Sequence, residues 1–139
     1  PVAHSHSPLI HNRAMQAADV NGRYLPFRVA KDDLNSFIDA CPKLGIHGIS
    51  ITIPHKEAAL DYCTQADASA SGIGAINTMI FDKEDRLGYT TDYRAAMDCI
   101  TEIYKVAGQP ARGLQGLRVL ILGAGGVSRA IAWGLKQRG

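Results

Sequence analysis

The sequence predicts an α/β fold: a three-layer α/β/α domain on a mainly parallel sheet, with one further βα unit at the carboxyl end. Three observations carry this. Ile49-Ser50-Ile51-Thr52-Ile53 alternates apolar and hydroxyl residues, the period-two pattern of a strand with one apolar face. A strand candidate and an amphipathic helix precede it, which makes a βαβ alternation and points to parallel strands covered by helices. Val119-Leu120-Ile121-Leu122 is a continuous apolar run of the kind buried on both faces of a parallel sheet, and it runs directly into a glycine-rich turn.

In chain order, Pro1 to Pro8 is a polar loop that ends in a helix start, with Ser7 as N-cap and Pro8 at the first helical position. Leu9, Ala14, Met15, Ala17 and Ala18 extend that helix for about three turns, to a stop near Asn21-Gly22. Tyr24 to Val29 is a strand interrupted by Pro26, hence an edge or a bulge. Leu34, Phe37, Ile38 and Cys41 recur at helical spacing, so Asp32 to Cys41 is an amphipathic helix closed by Lys43-Leu44-Gly45. The isoleucine strand follows, and Pro54, which lacks an N–H, forces a turn that presents Lys56. A short helix over Ala58 to Tyr62 and a helical turn over Asp67 to Ser71 lead to Gly72-Ile73-Gly74-Ala75-Ile76-Asn77, the entry to a strand from Thr78 to Phe81. The charged turn Asp82 to Arg86 makes a hairpin that returns through Leu87 to Thr90. A helix with Ala96, Ile100, Ile103, Tyr104 and Ala107 on one face begins just after Asp92. The domains expected are 1–107, a linker at 108–116 rich in glycine, and 117–139 as the start of a second unit.

Composition narrows the function classes. With 139 residues, 46% of them hydrophobic, the chain can bury a core the size of one domain or one domain and part of another. A net charge of +2 with scattered basic residues predicts no nucleic-acid partner, and no apolar run is long enough to span a bilayer. Cys41, Cys63 and Cys99 are odd in number and widely spaced, so a reduced, cytoplasmic protein is the simplest account. The absence of an initiator methionine and a last residue inside a helix read as a segment of something longer.

Several residues sit where chemistry is commonly found. Thr52 and Lys56 lie at the carboxyl end of a strand, where open α/β sheets place their ligand crevice; a solvated surface lysine is the alternative. Ser5 and Ser7 stand at a helix N-terminus, a seat for an anion, although the pattern around Ser7 taken alone favours a plain cap. Asn77 offers a donor and an acceptor beside glycines, and Asp92 is either a functional carboxylate or an N-cap. His4, His6 and His11 lack a carboxylate or cysteine at ligand spacing, and no metal site is expected. Gly123-Ala124-Gly125-Gly126-Val127-Ser128 between a strand and a helix is a dinucleotide fingerprint, with Ser128 at the third glycine position. A tight βα turn with no ligand is the alternative.

Ser5-His6-Ser7-Pro8 with His11-Asn12, Ile51 to Lys56, Gly74 to Thr78, Thr91-Asp92 and Gly123 to Gly126 together resemble the shikimate dehydrogenase family, in family order and over nearly the whole chain. The resemblance implies a substrate domain followed by the first βα unit of a Rossmann-like NADP domain. It implies NADP-dependent reduction of 3-dehydroshikimate to shikimate in aromatic amino acid biosynthesis, with quinate as a variant substrate. Ser5 and Ser7 would hold the substrate carboxylate; Thr52, Lys56, Asn77 and Asp92 its ring hydroxyls; Lys56 and Asp92 would be the catalytic pair. The family reads Asn-Thr-Asp where this chain has Thr90-Thr91-Asp92. The family's first strand and most of its cofactor domain are not represented, so Val119 to Leu122 would lack partner strands and self-associate, or belong to a longer chain.

The residue chemistry is consistent with that implication. Hydride reduction of a ketone leaves charge on oxygen, which a lysine ammonium both stabilises and protonates. A carboxylate beside the lysine fixes its position and keeps it charged. A catalytically silent module that binds a shikimate-like acid is the competing class, and it would not need both Lys56 and Asp92. A methylenetetrahydrofolate-type dehydrogenase is disfavoured because the Ser5-x-Ser7-Pro8 loop suits a small carboxylic acid.

Overall fold

In the computed structural model, which describes residues 2–106, 114–123 and 125–139, strand and helix alternate as an α/β chain. It divides into two compact units, Pro1–Asp33 and Leu34–Gly139. Ala107 of the helix expected after Asp92 and 108–113 of the expected linker lie outside the described residues.

The first unit contains helix α1, Ser7–Ala17. Its cap differs from expectation: Ser7 is already helical, and its N–H donates to the Ser5 hydroxyl at 3.2 Å. The helix also stops earlier than Gly22. Asp19 takes the left-handed conformation (φ 54°), and the Val20 N–H reaches back to the Met15 carbonyl at 2.8 Å, so an aspartate performs the stop that was assigned to Asn21-Gly22. The expected strand at 24–29 joins no ladder among the described residues. There Tyr24 is held by a side chain: its N–H donates to Asn12 Oδ1 (2.8 Å) and its carbonyl accepts from Asn12 Nδ2 (3.0 Å), an amide standing in for a neighbouring strand. The His11 ring stacks on Tyr24, centroids 4.6 Å apart.

The second unit is built on four strands, β1 (Gly48–Ser50), β2 (Gln65–Ala66), β3 (Thr78–Asp82) and β4 (Asp85–Tyr89), in the order β1-β3-β4-β2. The pairing is mixed where a mainly parallel sheet was expected: β2–β4 is parallel, while β1–β3 and β3–β4 are antiparallel. For β3–β4 the reason is connection length. Asp82 pairs with Asp85, so only Lys83 and Glu84 link β3 to β4, far too few residues for a parallel crossover. β1 is also shorter than its isoleucine pattern. The Ile51 N–H still bonds the Asn77 carbonyl at 2.7 Å, but the chain then turns, with the His55 N–H on the Thr52 carbonyl (2.9 Å), which leaves Ile53 78% exposed.

Helices α2 (Leu34–Ala40) and α3 (Ala68–Ile73) and a 3-10 turn at Ala58–Tyr62 cover the sheet. Leu34, Ile38, Ile51, Ala59, Ala70, Ile76 and Met79 form one core. Asp67 caps α3 by accepting from the Ala70 N–H at 2.7 Å, and Gly74 ends it in the left-handed conformation. A second cluster joins Ile73, Ala75 and Ala130 with Tyr93 of helix α4 (Asp92–Val106) and Trp133 of helix α5 (Gly126–Gln137). Val119 to Leu122 is not in a ladder among the described residues, and Val119, Leu120 and Leu122 are exposed. None of the described helices is long and apolar enough to cross a membrane.

Gly88, in β4 between two partner strands, marks a close approach within the sheet packing: a Cβ there would lie 2.5 Å from Cys63 Sγ and 3.1 Å from Ile76 Cγ2. Gly88→Ala is expected to destabilise the fold by about 1–3 kcal/mol through overpacking, and adding Cys63→Ala should recover part of the loss in denaturant titrations. Burial raises the thiol pKa of Cys41, and that of Cys63 with partial relief from Arg86. Because both thiols hold their protons more tightly in the folded state, their stability contribution is present below the ordinary thiol pKa of 9.0 and declines as pH rises beyond it. Exposed Cys99 should therefore be alkylated well before Cys41 in a mass-resolved time course.

Candidate active site

The polar centre of the second unit forms where the end of β1, the entry to β3 and the start of α4 converge. Asn77 is the joint. Its backbone N–H donates to the Tyr89 carbonyl (3.0 Å) and its carbonyl accepts from Ile51 (2.7 Å), so its position is fixed from two strands. Next to it, the Ile76 N–H donates to the Lys56 carbonyl at 2.9 Å, which anchors the turn after Pro54 to the same place.

Lys56 Nζ then donates to Asp92 Oδ2 at 2.5 Å. The other oxygen, Asp92 Oδ1, accepts from Asn77 Nδ2 at 2.8 Å. Asn77 Nδ2 also donates to Thr91 Oγ1 (2.9 Å), while Asn77 Oδ1 accepts from the Thr91 N–H (3.2 Å) and the Thr78 hydroxyl (2.9 Å). The amide thus uses both hydrogens and both lone pairs, and its orientation is fully determined. Asp92 is the first residue of α4, where a carboxylate is favoured by the helix dipole, but both its oxygens are turned to side chains; it is not a mere cap. The Lys56 and Asp92 side chains keep 21% and 30% of their surface exposed, enough for a small molecule to reach them. Among the described residues, Asp92 is the carboxylate that pairs with Lys56.

Of the residues the sequence singled out, Lys56, Asn77 and Asp92 come together. Thr52 is exposed on the adjoining turn, one residue beyond the bond from Ile51 to Asn77. Ser5 and Ser7 lie in the first unit, joined to each other at the start of α1; Ser5 is exposed and Ser7 half-buried. Thr91 was missed as a site residue. Its position between the buried Thr90 and Asp92 was the available signal, since a hydroxyl next to the carboxylate can fix the neighbouring amide. Among the described residues no group of three His, Cys, Asp or Glu could hold a metal ion.

The described part of the glycine turn combines a positive φ with an open helix start. Gly123 adopts φ 116°, which favours glycine, and Gly125 caps α5 with extended backbone. A Cβ on Gly125 or Gly126 would meet nothing within 4 Å, so the face over the first turn of α5 is open to a phosphate. Ser128 is half-buried and its Oγ lies 3.4 Å from a Cβ built on Gly123, so the third fingerprint position packs against the first; Val127 is exposed. Ala124 lies outside the described residues. A further contact that no spacing argument could reveal joins this helix to the polar centre: Arg129 Nη2 pairs with Glu57 Oε1, the residue after Lys56.

Residues 1–79 match the family model described as the shikimate dehydrogenase substrate binding domain. Over the whole chain there is 38% identity to the NADP(+) shikimate dehydrogenase of Methanothermobacter thermautotrophicus, of which the chain covers 46%, and 40% to a chloroplastic bifunctional 3-dehydroquinate dehydratase/shikimate dehydrogenase of Arabidopsis thaliana, of which it covers 24%. The crystal structure of shikimate 5-dehydrogenase from Thermus thermophilus in complex with shikimate superposes with a TM-score of 0.84 at 33% identity, covering all of this chain and 50% of that one. The chain therefore spans half or less of the length of these relatives.

A partly exposed ion pair contributes little to folding, so Lys56→Met and Asp92→Asn should each change unfolding free energy by less than about 1 kcal/mol. Asn77→Ala, which strands the partners of a filled amide, should cost about 1–3 kcal/mol. Denaturant titration of the three variants distinguishes the two cases; a larger loss for Lys56→Met than for Asn77→Ala would contradict the division of roles.

Proposed function

We propose that this chain, which belongs to the shikimate dehydrogenase substrate-binding domain family, forms the substrate half and the beginning of the cofactor half of an NADP-dependent enzyme that reduces 3-dehydroshikimate to shikimate. In this reading 1–107 binds the substrate, 108–116 links, and 117–139 opens the Rossmann-like cofactor domain. The observation that carries it is the Lys56–Asp92–Asn77 chain of hydrogen bonds.

When bound, NADPH supplies a hydride to the ring carbonyl carbon. The rest of the chemistry belongs to the protein. Lys56 Nζ meets the carbonyl oxygen, stabilises the charge that develops there and gives it a proton, so that ketone, hydride and proton yield the alcohol. The lysine is left as a neutral amine and recovers its proton from solvent, to which a fifth of its side chain is open. Asp92 keeps the ammonium aimed before transfer, and Asn77 keeps Asp92 from turning away. Thr52 and Asn77 contact ring hydroxyls, Asn77 by yielding one of its bonds to Thr91. The Ser5 and Ser7 hydroxyls take the substrate carboxylate, which orients the molecule from the end remote from the reacting carbon. The relatives named for NADP(+) support that cofactor, and the open glycine turn from Gly123 to Ser128 supports a pyrophosphate seat.

In the full-length protein, Lys56→Ala should lower kcat for 3-dehydroshikimate by about 10²–10⁴-fold while shikimate affinity by calorimetry changes only a few-fold. A variant with turnover within about threefold of wild type would remove Lys56 from the role of general acid. Wild-type protein that binds shikimate without turnover would favour a silent binding module.

A further inference from the structure

We propose that the Arg129–Glu57 ion pair is a positioning device that couples the cofactor seat to the proton donor: it pins the first turn of α5 to the residue covalently next to Lys56. The proposal rests on the functional reading above and names residues to which that reading gives no role.

Four observations converge on it. The two residues are 72 positions apart in sequence, yet each is placed by rigid local structure. Glu57 opens the 3-10 turn at Ala58–Tyr62, with the Leu60 N–H on its carbonyl (3.1 Å) and the Ala59 N–H on that of His55 (2.9 Å). A shift of its side chain is thus transmitted to Lys56 through one peptide bond and an ordered turn.

Arg129 stands in the first turn of α5, its own N–H on the Gly125 carbonyl at 3.1 Å, and that turn carries no acidic residue. A cation is disfavoured at a helix N-terminus. Its pairing with Glu57 offsets that cost.

The middle of α5 is held by packing. Gly72 leaves room for the Trp133 indole, which would collide with any Cβ there; Tyr93 meets Trp133 edge-on at 4.7 Å; and Gly134 lies against Met97 and Tyr93. At the carboxyl end, Arg138 pairs with Asp98 and donates to the Thr101 hydroxyl at 2.8 Å, so the Arg129–Glu57 pair is the charged contact at the glycine-turn end of the helix. Finally, the Arg129 and Glu57 side chains are 44% and 64% exposed. An ion pair so open to water adds little to global stability, so the variants below should stay folded and report on the local placement of Glu57 against α5. Hydride donor and proton donor must meet one carbonyl group from two parts of the chain, and small misplacements there are costly to rate.

The test uses the full-length enzyme and the variants Glu57→Gln, Arg129→Gln, the double variant and the exchange Glu57→Arg/Arg129→Glu. Calorimetry gives the dissociation constants of NADP+ and shikimate separately and each in the presence of the other; steady-state kinetics gives kcat. The expected result is that each single variant binds either ligand alone within about threefold of wild type but loses most of the mutual enhancement, which should be of order tenfold in wild type. Its kcat should fall about ten- to a hundredfold. The double variant should be no worse than either single one, and the exchange should recover part of the loss.

Three results overturn the proposal: wild type with no coupling between the ligands, Glu57→Gln with wild-type coupling and kcat, or a loss confined to NADP+ affinity in Arg129→Gln, which would make Arg129 a direct phosphate ligand. A wild-type enzyme that binds neither ligand overturns the functional reading itself, an outcome separate from any of these.

Discussion

Asn77 is the residue through which the architecture of the second unit becomes a site. Its main chain closes the sheet on both sides, to Tyr89 and from Ile51, and its side chain spends all four hydrogen-bonding positions on Thr78, Thr91 and Asp92. A residue constrained in both ways has no freedom to pass on. The start of α4 is therefore set by the end of the sheet, and the carboxylate of Asp92 arrives opposite Lys56 as a consequence of strand pairing.

That arrangement separates what holds the fold from what is available to react. Cohesion comes from the apolar cluster around Ile38, Ile76 and Met79, all fully buried, and from places where glycine lets neighbours close in, as at Gly88 against Cys63 and Ile76. The charged residues contribute differently. Lys56–Asp92, Arg86–Asp39 and Arg138–Asp98 are all partly solvated, where water screens much of their attraction. Lys56 and Asp92 can thus give up their mutual contact to a ligand without drawing on the energy that keeps the chain folded.

Helix α5 extends the same logic to the second half of the chain. Gly72 and Gly134 have small surfaces that let Trp133, Met97 and Tyr93 interlock, which docks α5 on α3 and α4. The glycines at its amino end do the reverse: Gly125 and Gly126 leave open space, and Gly123 supplies a backbone conformation that side chains resist. One residue type thus serves close packing along the helix and access at its tip.

Local sequence pattern was enough for the α/β class, the hairpin between Thr78 and Thr90, a short helical segment at Ala58–Tyr62 and the glycine turn, and it singled out Lys56, Asn77 and Asp92 as candidates, because each is written in local periodicity, turn chemistry or a short motif. Local pattern misjudged elements whose extent depends on a partner. The isoleucine alternation continues through Ile53, yet the strand ends at Ser50 because the chain turns to follow Pro54. Tyr24 is paired by the Asn12 side chain where a strand was expected, and Val119 to Leu122 is apolar enough for a strand but meets no ladder among the described residues. The tertiary structure alone decided the mixed pairing of the sheet, the saturation of the Asn77 amide through Thr91 and the contact of Arg129 with Glu57. Each joins residues far apart in the chain or sets which of several possible partners a polar group takes, and spacing along a sequence carries no information about either.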